Sequence, residues 1–175
     1  MNIVTRFSLS LFAATLSLNS LPVFADSGQT CHLAGSYGYL YSGNSYTATG
    51  PLPLAETGVL TVDSIGNVSG EATLAFQFSN FGGKGPLWLL LREVQSNGVV
   101  TPDTNNPCKG SLDFLATATV IKTSNSSILP EGVVLFANTP RSIAYTISGL
   151  NNEVVDLTGS FPGTIASGTA HKQNN

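Results

Sequence analysis

Two runs of alternating apolar and polar residues, joined by a tight polar link, constrain the fold of this chain most. The runs are Val59–Asp63 and Val68–Phe76, and the link between them is Ser64–Asn67. Alternation with a period of two is typical of a half-buried β-strand, and Gly and Asn tolerate the positive φ of a tight hairpin turn. Because the same pattern recurs from Leu33 to His171, the sequence predicts an all-β domain.

The first 25 residues have the pattern of an export signal. Arg6 supplies a basic start, Phe7–Leu18 an apolar stretch of about 12 residues, and Ala25 a small residue for cleavage. An apolar stretch of that length is too short to cross a hydrocarbon core of about 30 Å. We therefore interpret residues 1–25 as a cleaved signal peptide, and expect a secreted or periplasmic bacterial protein without a membrane span.

The charge of the mature chain argues against two classes of partner. Without Arg6, six basic and ten acidic residues remain, which gives a formal charge of −4, and no cluster of Lys or Arg is present. Nucleic acids and anionic membranes are bound largely through such clusters. We therefore expect neither as a partner. The sequence leaves the oligomeric state open.

The mature chain contains two cysteines, Cys31 and Cys108. In an oxidising compartment two cysteines are expected to form a disulfide, here closing a loop of 78 residues. The alternative is a metal site shared with His32, but these separations match no compact zinc spacing. The sequence therefore predicts a Cys31–Cys108 disulfide and assigns neither a metal nor a cofactor.

The strand pattern continues through the mature chain with no convincing helix. Strands are expected at Leu33–Ser42, Glu56–Asp63, Val68–Phe78, Pro86–Gln95, Lys109–Lys122, Gly132–Ala137, Ser142–Ser148, Val154–Leu157 and Thr164–Lys172. Polar breakers predict loops at Ser42–Pro53 and Ser96–Pro107 and a turn at Asn138–Arg141. The total is therefore eight or nine strands, at the spacing of a sandwich or barrel.

Two features favour a barrel over a β-sandwich. The connections read as successive hairpins, which is up-and-down order. Four glycines also fall inside strands, where a small barrel must bend or make room inside; they are Gly38, Gly58, Gly70 and Gly168. We predict that residues 26–175 form one antiparallel, mostly up-and-down, eight-stranded β-barrel, with a β-sandwich as the alternative.

Four sets of motifs resemble a group of uncharacterised bacterial exported proteins. They are Gly35-Ser-Tyr-Gly-Tyr39, Glu56–Asp63 with Gly66–Gly70, Cys108-Lys-Gly110, and Gly168–Gln173. The layout of this group is similar to calycin-like and allene-oxide-cyclase-like barrels, which implies the fold and leaves the activity open. Calycins typically carry Gly-x-Trp on the first strand, with a basic residue from the last strand across the indole. Here Tyr37 stands in place of Trp, and Lys172 is the candidate cation.

A stripe of tyrosines is the best candidate for a ligand surface. Tyr37, Tyr39 and Tyr41 share one face of the first strand, and Leu40 lies on the other. Rigid amphipathic rings line pockets well, and Trp88 is a further candidate for lining a cavity. Structural packing is the alternative for all four residues. We predict that a small apolar ligand binds in the barrel mouth.

Residues for catalysis are sparse. His32 and His171 are the two histidines, no Gly-x-Ser-x-Gly motif occurs, and we expect both histidines to be solvated at one rim. Glu71 and Asp113 alternate away from apolar neighbours and are expected to face solvent. No catalytic residue is assigned. An isomerase or cyclase would need a carboxylate or tyrosine buried beside a cavity, whereas a structural or protein-interaction module would have a filled barrel.

Overall fold

The computed structural model describes residues 31–47, 50–148, 150–159 and 164–174. The predicted signal peptide lies outside these residues. The strands are β1 (Gly35–Thr47), β2 (Gly50–Val62), β3 (Asn67–Phe78), β4 (Leu87–Pro102), β5 (Lys109–Thr123), β6 (Val134–Ile147), β7 (Val154–Gly159) and β8 (Thr164–Lys172). A short 3₁₀ turn, Leu150–Asn152, connects β6 to β7.

The eight strands form one closed antiparallel barrel in sequence order. Each strand pairs with the next, and β1 also pairs with β8 from Tyr37↔Lys172 to Ser45↔Thr164. The predicted up-and-down barrel is therefore confirmed, and the sandwich alternative is wrong. Because strands that follow each other pair through short connections, closure needs one long-range pairing, that of the two terminal strands.

The opening hairpin forms as its sequence predicts. Asp63 follows β2 directly, and its Oδ1 accepts hydrogen bonds from the backbone N–H groups of Ile65 at 2.9 Å and Asn67 at 2.8 Å. Gly66 takes the positive φ, +90°. The side-chain and backbone N–H groups of Asn67 hold the pKa of Asp63 below its usual value. Asp63 therefore belongs to the turn, as expected.

Three predicted interruptions are wrong in whole or in part, because strands extend into them. The expected loop at Ser42–Pro53 is mostly strand, since β1 continues to Thr47 and β2 begins at Gly50. Likewise β4 runs on to Pro102, and β6 spans the expected turn at Asn138–Arg141. The sheet register shifts at Ser96/Val99 and at Ala116/Ala118, beside Asn97 and Asn138, which have positive φ. Such β-bulges absorb a turn-forming residue without ending the strand.

Strand glycines make room where neighbouring strands approach closely. A Cβ added at Gly168 would meet the Leu40 carbonyl oxygen of β1, and one at Gly58 would meet the Glu71 carbonyl oxygen of β3. Any larger side chain would push the paired strands apart. The expectation that these glycines make room in a small barrel is therefore confirmed.

The end of the barrel where β1 begins is closed, and we call it the closed end. The predicted disulfide joins Cys31 to Cys108 here, with the two Cα atoms 4.8 Å apart. Behind it Leu33 is 5% exposed and packs with the other buried apolar side chains. The space left among these closed-end side chains is about 10 Å³, no more than a single water needs.

Loss of the disulfide is expected to destabilise the barrel without preventing closure. In the double variant Cys31→Ser/Cys108→Ser the free energy of unfolding should fall by about 2–4 kcal/mol, because the unfolded chain regains the freedom of a long loop. Urea titration followed by circular dichroism measures this change. Wild type treated with a reductant serves as a parallel sample. An unchanged unfolding midpoint in both would contradict a structural role for the bond.

Candidate functional site

The tyrosine stripe of β1 faces the barrel interior. Tyr37, Tyr39 and Tyr41 are at most 5% exposed, whereas Leu40 between them is 63% exposed on the outer face. The predicted alternation along this strand is confirmed. The three rings nevertheless lie at different depths, and they have different surroundings.

Tyr37 belongs to the closed end. Its hydroxyl donates to the carbonyl oxygens of Ala34 and Asn152, each at 3.3 Å, and its ring packs beside Leu33 and Leu60. Lys172, the candidate cation of the calycin comparison, is its register partner on β8. Tyr37 therefore packs the base of the barrel, away from the opposite end.

The opposite end, where β1 ends and β8 begins, contains a cavity of about 560 Å³, and we call this end the mouth. Apolar side chains form most of its wall: Leu54, Leu74, Phe76, Phe136 and Pro140. Small polar side chains also line it: Ser45, Thr139 and Thr164. Thr139 and Pro140 are exposed, so the cavity reaches the surface of the barrel.

Charged side chains contribute to the same cavity. Glu56 of β2 and Arg141 of β6 line it, and Glu93 of β4 lies beside them. The Arg141 Nη2 is 2.6 Å from Glu93 Oε2, and its Nη1 is 3.6 Å from Glu56 Oε2. All three residues are buried, with exposures of 2% for Glu56, 0% for Glu93 and 8% for Arg141. We call these three residues the buried ion cluster.

Tyr39 and Gln95 complete the hydrogen bonding around the buried ion cluster. The Tyr39 hydroxyl donates to Glu56 Oε1 at 2.5 Å. The Gln95 amide nitrogen lies 3.0 Å from Glu93 Oε1, 2.8 Å from the Tyr39 hydroxyl and 3.3 Å from Glu56 Oε1. This network ties β1, β2, β4 and β6 together across the barrel interior. It also separates the cavity from the packed closed end.

Burial shifts the protonation of these groups. It raises the pKa of Glu93 to about 7, with Arg141 opposing the shift and the charge of Glu56 adding to it. Burial also raises the pKa of Glu56, against the Tyr39 hydrogen bond and the Arg141 charge. The pKa of Tyr39 rises for the same reason, and the nearby Glu56 raises it further. Perturbed groups of this kind beside a cavity are typical of functional sites.

Tyr41 lies on the mouth side of Tyr39. A Cβ added at Gly159 of β7 would overlap the Tyr41 hydroxyl, so the ring occupies the space that a side chain at Gly159 would need. Burial raises the pKa of Tyr41 to about 12, and the charge of Glu56 adds to the shift. Tyr41 therefore packs behind the cavity wall rather than forming it.

Trp88 is on the outer face, and the expectation that it packs in the core or lines a cavity is wrong. Its side chain is 44% exposed, whereas Leu87 and Leu89 on either side are buried at 1%. The run Leu87–Leu91 is apolar at every position, so alternation could not show which face turns inward. The face with three leucines is buried, and Trp88 points to solvent.

The remaining sequence predictions concern polar residues. Glu71 faces solvent with its side chain 62% exposed and pairs with Arg92 at 2.7 Å, which confirms its expected orientation. Asp113 also alternates away from the buried Leu112 and Phe114 on either side of it. His32 and His171 are both exposed, and both belong to the closed end, as predicted. The described residues contain no group of three or more potential metal ligands.

The sequence analysis missed the residues of the buried ion cluster and Gln95. Each lies on the inward face of its strand, where most of the other side chains are apolar. Glu93 and Gln95 follow Leu87, Leu89 and Leu91 at every second position. Arg141 precedes the buried Ile143 in the same way. The periodic signal was therefore present, but the expected turn at Asn138–Arg141 hid Arg141, and no orientation was predicted for Glu56 or Glu93.

The fold and the cavity together define a class of protein: an up-and-down β-barrel with one packed end and one hollow end. Comparison with protein-family models, with curated proteins and with solved structures finds no match. In the described part of the chain no helix is long and apolar enough to span a membrane.

The raised pKa of Glu93 predicts a pH-dependent stability. The folded state keeps this proton between pH 4.5 and about 7, where the unfolded carboxyl has lost it, so the contribution favours folding at low pH and is lost as pH rises through 7. Wild type should lose on the order of 3 kcal/mol of unfolding free energy between pH 5 and pH 8 from this group.

The variant Glu93→Gln removes the titration and should show a smaller loss of unfolding free energy between pH 5 and pH 8. Urea titrations at several pH values measure the slope of the unfolding free energy against pH. Glu71→Gln is the matched control, because the same substitution is made at an exposed carboxylate. A slope for Glu93→Gln equal to that of wild type would contradict the assignment.

Proposed function

We propose that this chain is a binding protein that holds a small, mostly apolar molecule in the barrel mouth. The observation that carries the proposal is the cavity of about 560 Å³, a volume within the range of about 300–1,000 Å³ usual for small-molecule sites. Its wall of leucine and phenylalanine side chains favours an apolar ligand body. The buried ion cluster offers a polar group with which to orient one end of that ligand.

Export of the protein is part of the proposal. The signal-like residues 1–25 support it, and so does the disulfide Cys31–Cys108, because such bonds persist in oxidising compartments. A secreted or periplasmic bacterial protein would meet its ligand outside the cytoplasm. The resemblance to exported calycin-like barrels adds an analogy of fold, which by itself does not assign function.

Two other functions were compatible with the sequence. A structural or protein-interaction module with a filled barrel is disfavoured by the empty volume at the mouth. An isomerase or cyclase is the second candidate, because Glu56 is a buried carboxyl that lines the cavity and accepts a short hydrogen bond from Tyr39. A buried carboxyl with a raised pKa is suited to moving a proton.

Native mass spectrometry of protein purified from its source organism tests the binding function directly. We expect an added mass that is lost on denaturation and that identifies the ligand class. The recovered ligand then separates the two candidates. The recovered ligand is incubated with wild type and, separately, with Glu56→Gln. A binding protein should leave the ligand unchanged in both samples. Conversion of the ligand by wild type but not by Glu56→Gln would indicate an enzyme.

A large side chain at the mouth should reduce ligand binding. Thr139 is exposed and lines the cavity, so Thr139→Trp should obstruct entry without disturbing the packed closed end. The affinity for the fluorescent probe N-phenyl-1-naphthylamine should fall by about tenfold or more, equivalent to at least about 1.4 kcal/mol.

The matched control is Thr61→Trp, which places the same side chain at an exposed position on the outer face of β2. Its probe affinity should equal that of wild type in a fluorescence titration. Equal affinities for all three proteins would mean that the probe binds elsewhere, and the cavity would lose its support as the binding site.

A further inference from the structure

The buried ion cluster contains more negative than positive groups. Among the described residues the buried ionisable side chains, other than tyrosines, are Glu56, Glu93 and Arg141. Residues 48–49 and 160–163, the segments after β1 and before β8, contain no ionisable side chain. With both carboxyls ionised, the cluster therefore carries one net negative charge.

The hydrogen bonding favours the ionised form of both carboxyls, against the burial that raises the pKa of each. Glu56 Oε1 accepts from the Tyr39 hydroxyl and the Gln95 amide, and Glu93 Oε1 accepts from the same amide. Glu93 Oε2 meets the guanidinium of Arg141. These neighbours are all donors, and hydrogen bonds that a carboxylate accepts stabilise its charged form.

Glu56 retains capacity to accept a further hydrogen bond. The donors that reach it within hydrogen-bonding distance bind Oε1, while Oε2 lies 3.6 Å from the Arg141 Nη1, beyond the normal hydrogen-bond range. Glu56 is also the carboxyl of the cluster that lines the cavity. A ligand that reaches the inner end of the cavity therefore meets an acceptor.

Arg141 is less suited to binding an anion. Its guanidinium already contacts Glu93 at 2.6 Å and has Glu56 nearby, and the ring of Phe136 lies 5.1 Å from its central carbon. A carboxylate brought to this guanidinium would share it with two like charges. Like charges placed together at a desolvated site lower affinity strongly.

We propose that the ligand of the mouth carries a hydrogen-bond donor at its polar end, a hydroxyl or a protonated amine, and that Glu56 makes the site reject carboxylates. This inference rests on the proposed binding function and adds a ligand class to it. An alcohol can donate to Glu56, and an ammonium group also balances the net charge of the cluster.

The test compares three ligands that share one alkyl chain: decanol, decylamine and decanoate. Isothermal titration calorimetry at pH 8 and below micelle-forming concentrations measures each affinity. At this pH decylamine is protonated, as a lysine side chain with a pKa of about 10.4 would be. Glu93 is mostly ionised, because burial raises the pKa of Glu93 only to about 7.

Decanol and decylamine should each bind wild type at least about tenfold more tightly than decanoate. Decanoate binding as tightly as either of them overturns the ligand class and leaves the binding function standing. If none of the three binds, the binding function fails and the ligand class fails with it. The wild-type ranking therefore decides the question without any variant.

The variant Glu56→Gln locates the selectivity. It keeps the shape of the side chain and removes its charge, so the affinity for decanoate should rise at least about tenfold relative to that for decylamine. Glu71→Gln, on the outer face, should rank the ligands as wild type does. A folded Glu56→Gln variant that keeps the wild-type ranking would overturn the role assigned to Glu56.

Discussion

Pairing between the first and last strands is the constraint on which the rest of the structure depends. The ladder from Tyr37↔Lys172 to Ser45↔Thr164 removes the two sheet edges, which would otherwise expose unpaired backbone groups. It brings Cys31 and the end of β8 to one rim and places the mouth at the other. Glycines such as Gly168 permit it, because a side chain there would meet the backbone of β1. Without this ladder there is no enclosed interior and no cavity.

An eight-stranded barrel encloses a space that side chains can fill or that can hold one small ligand. In this barrel the closed end is filled and the mouth is hollow. Large side chains face inward at the closed end, including Tyr37 and Tyr145, and they leave almost no space. Towards the mouth some inward positions are small, including Ala116 and Ala118 of β5 and Ala166 of β8, although Val120 of β5 is larger. The small residues that line the cavity itself are Ser45, Thr139 and Thr164.

The fold could be predicted from the sequence more completely than the site. Alternation and turn residues predicted the barrel and its opening hairpin, and the presence of two cysteines behind a signal-like segment predicted the disulfide. Strand ends were predicted poorly, because Asn97 and Asn138 have the composition of turns yet lie in bulges. Because the expected turn included Arg141, the inward orientation of Arg141 was not predicted. Trp88 shows a different limit, since in a uniformly apolar run only tertiary packing decides which face is buried.

The buried ion cluster is an expensive feature for a barrel of this size. Removing charges from water costs several kcal/mol per ion, and a buried pair is often no more stabilising than apolar residues of similar volume. The closed end shows that this barrel can be filled with apolar side chains. Glu56, Glu93 and Arg141 lie instead where the packed part meets the cavity, the position from which a polar group can act on a bound molecule. Stability alone does not explain this placement, which is the one that the proposed binding function requires.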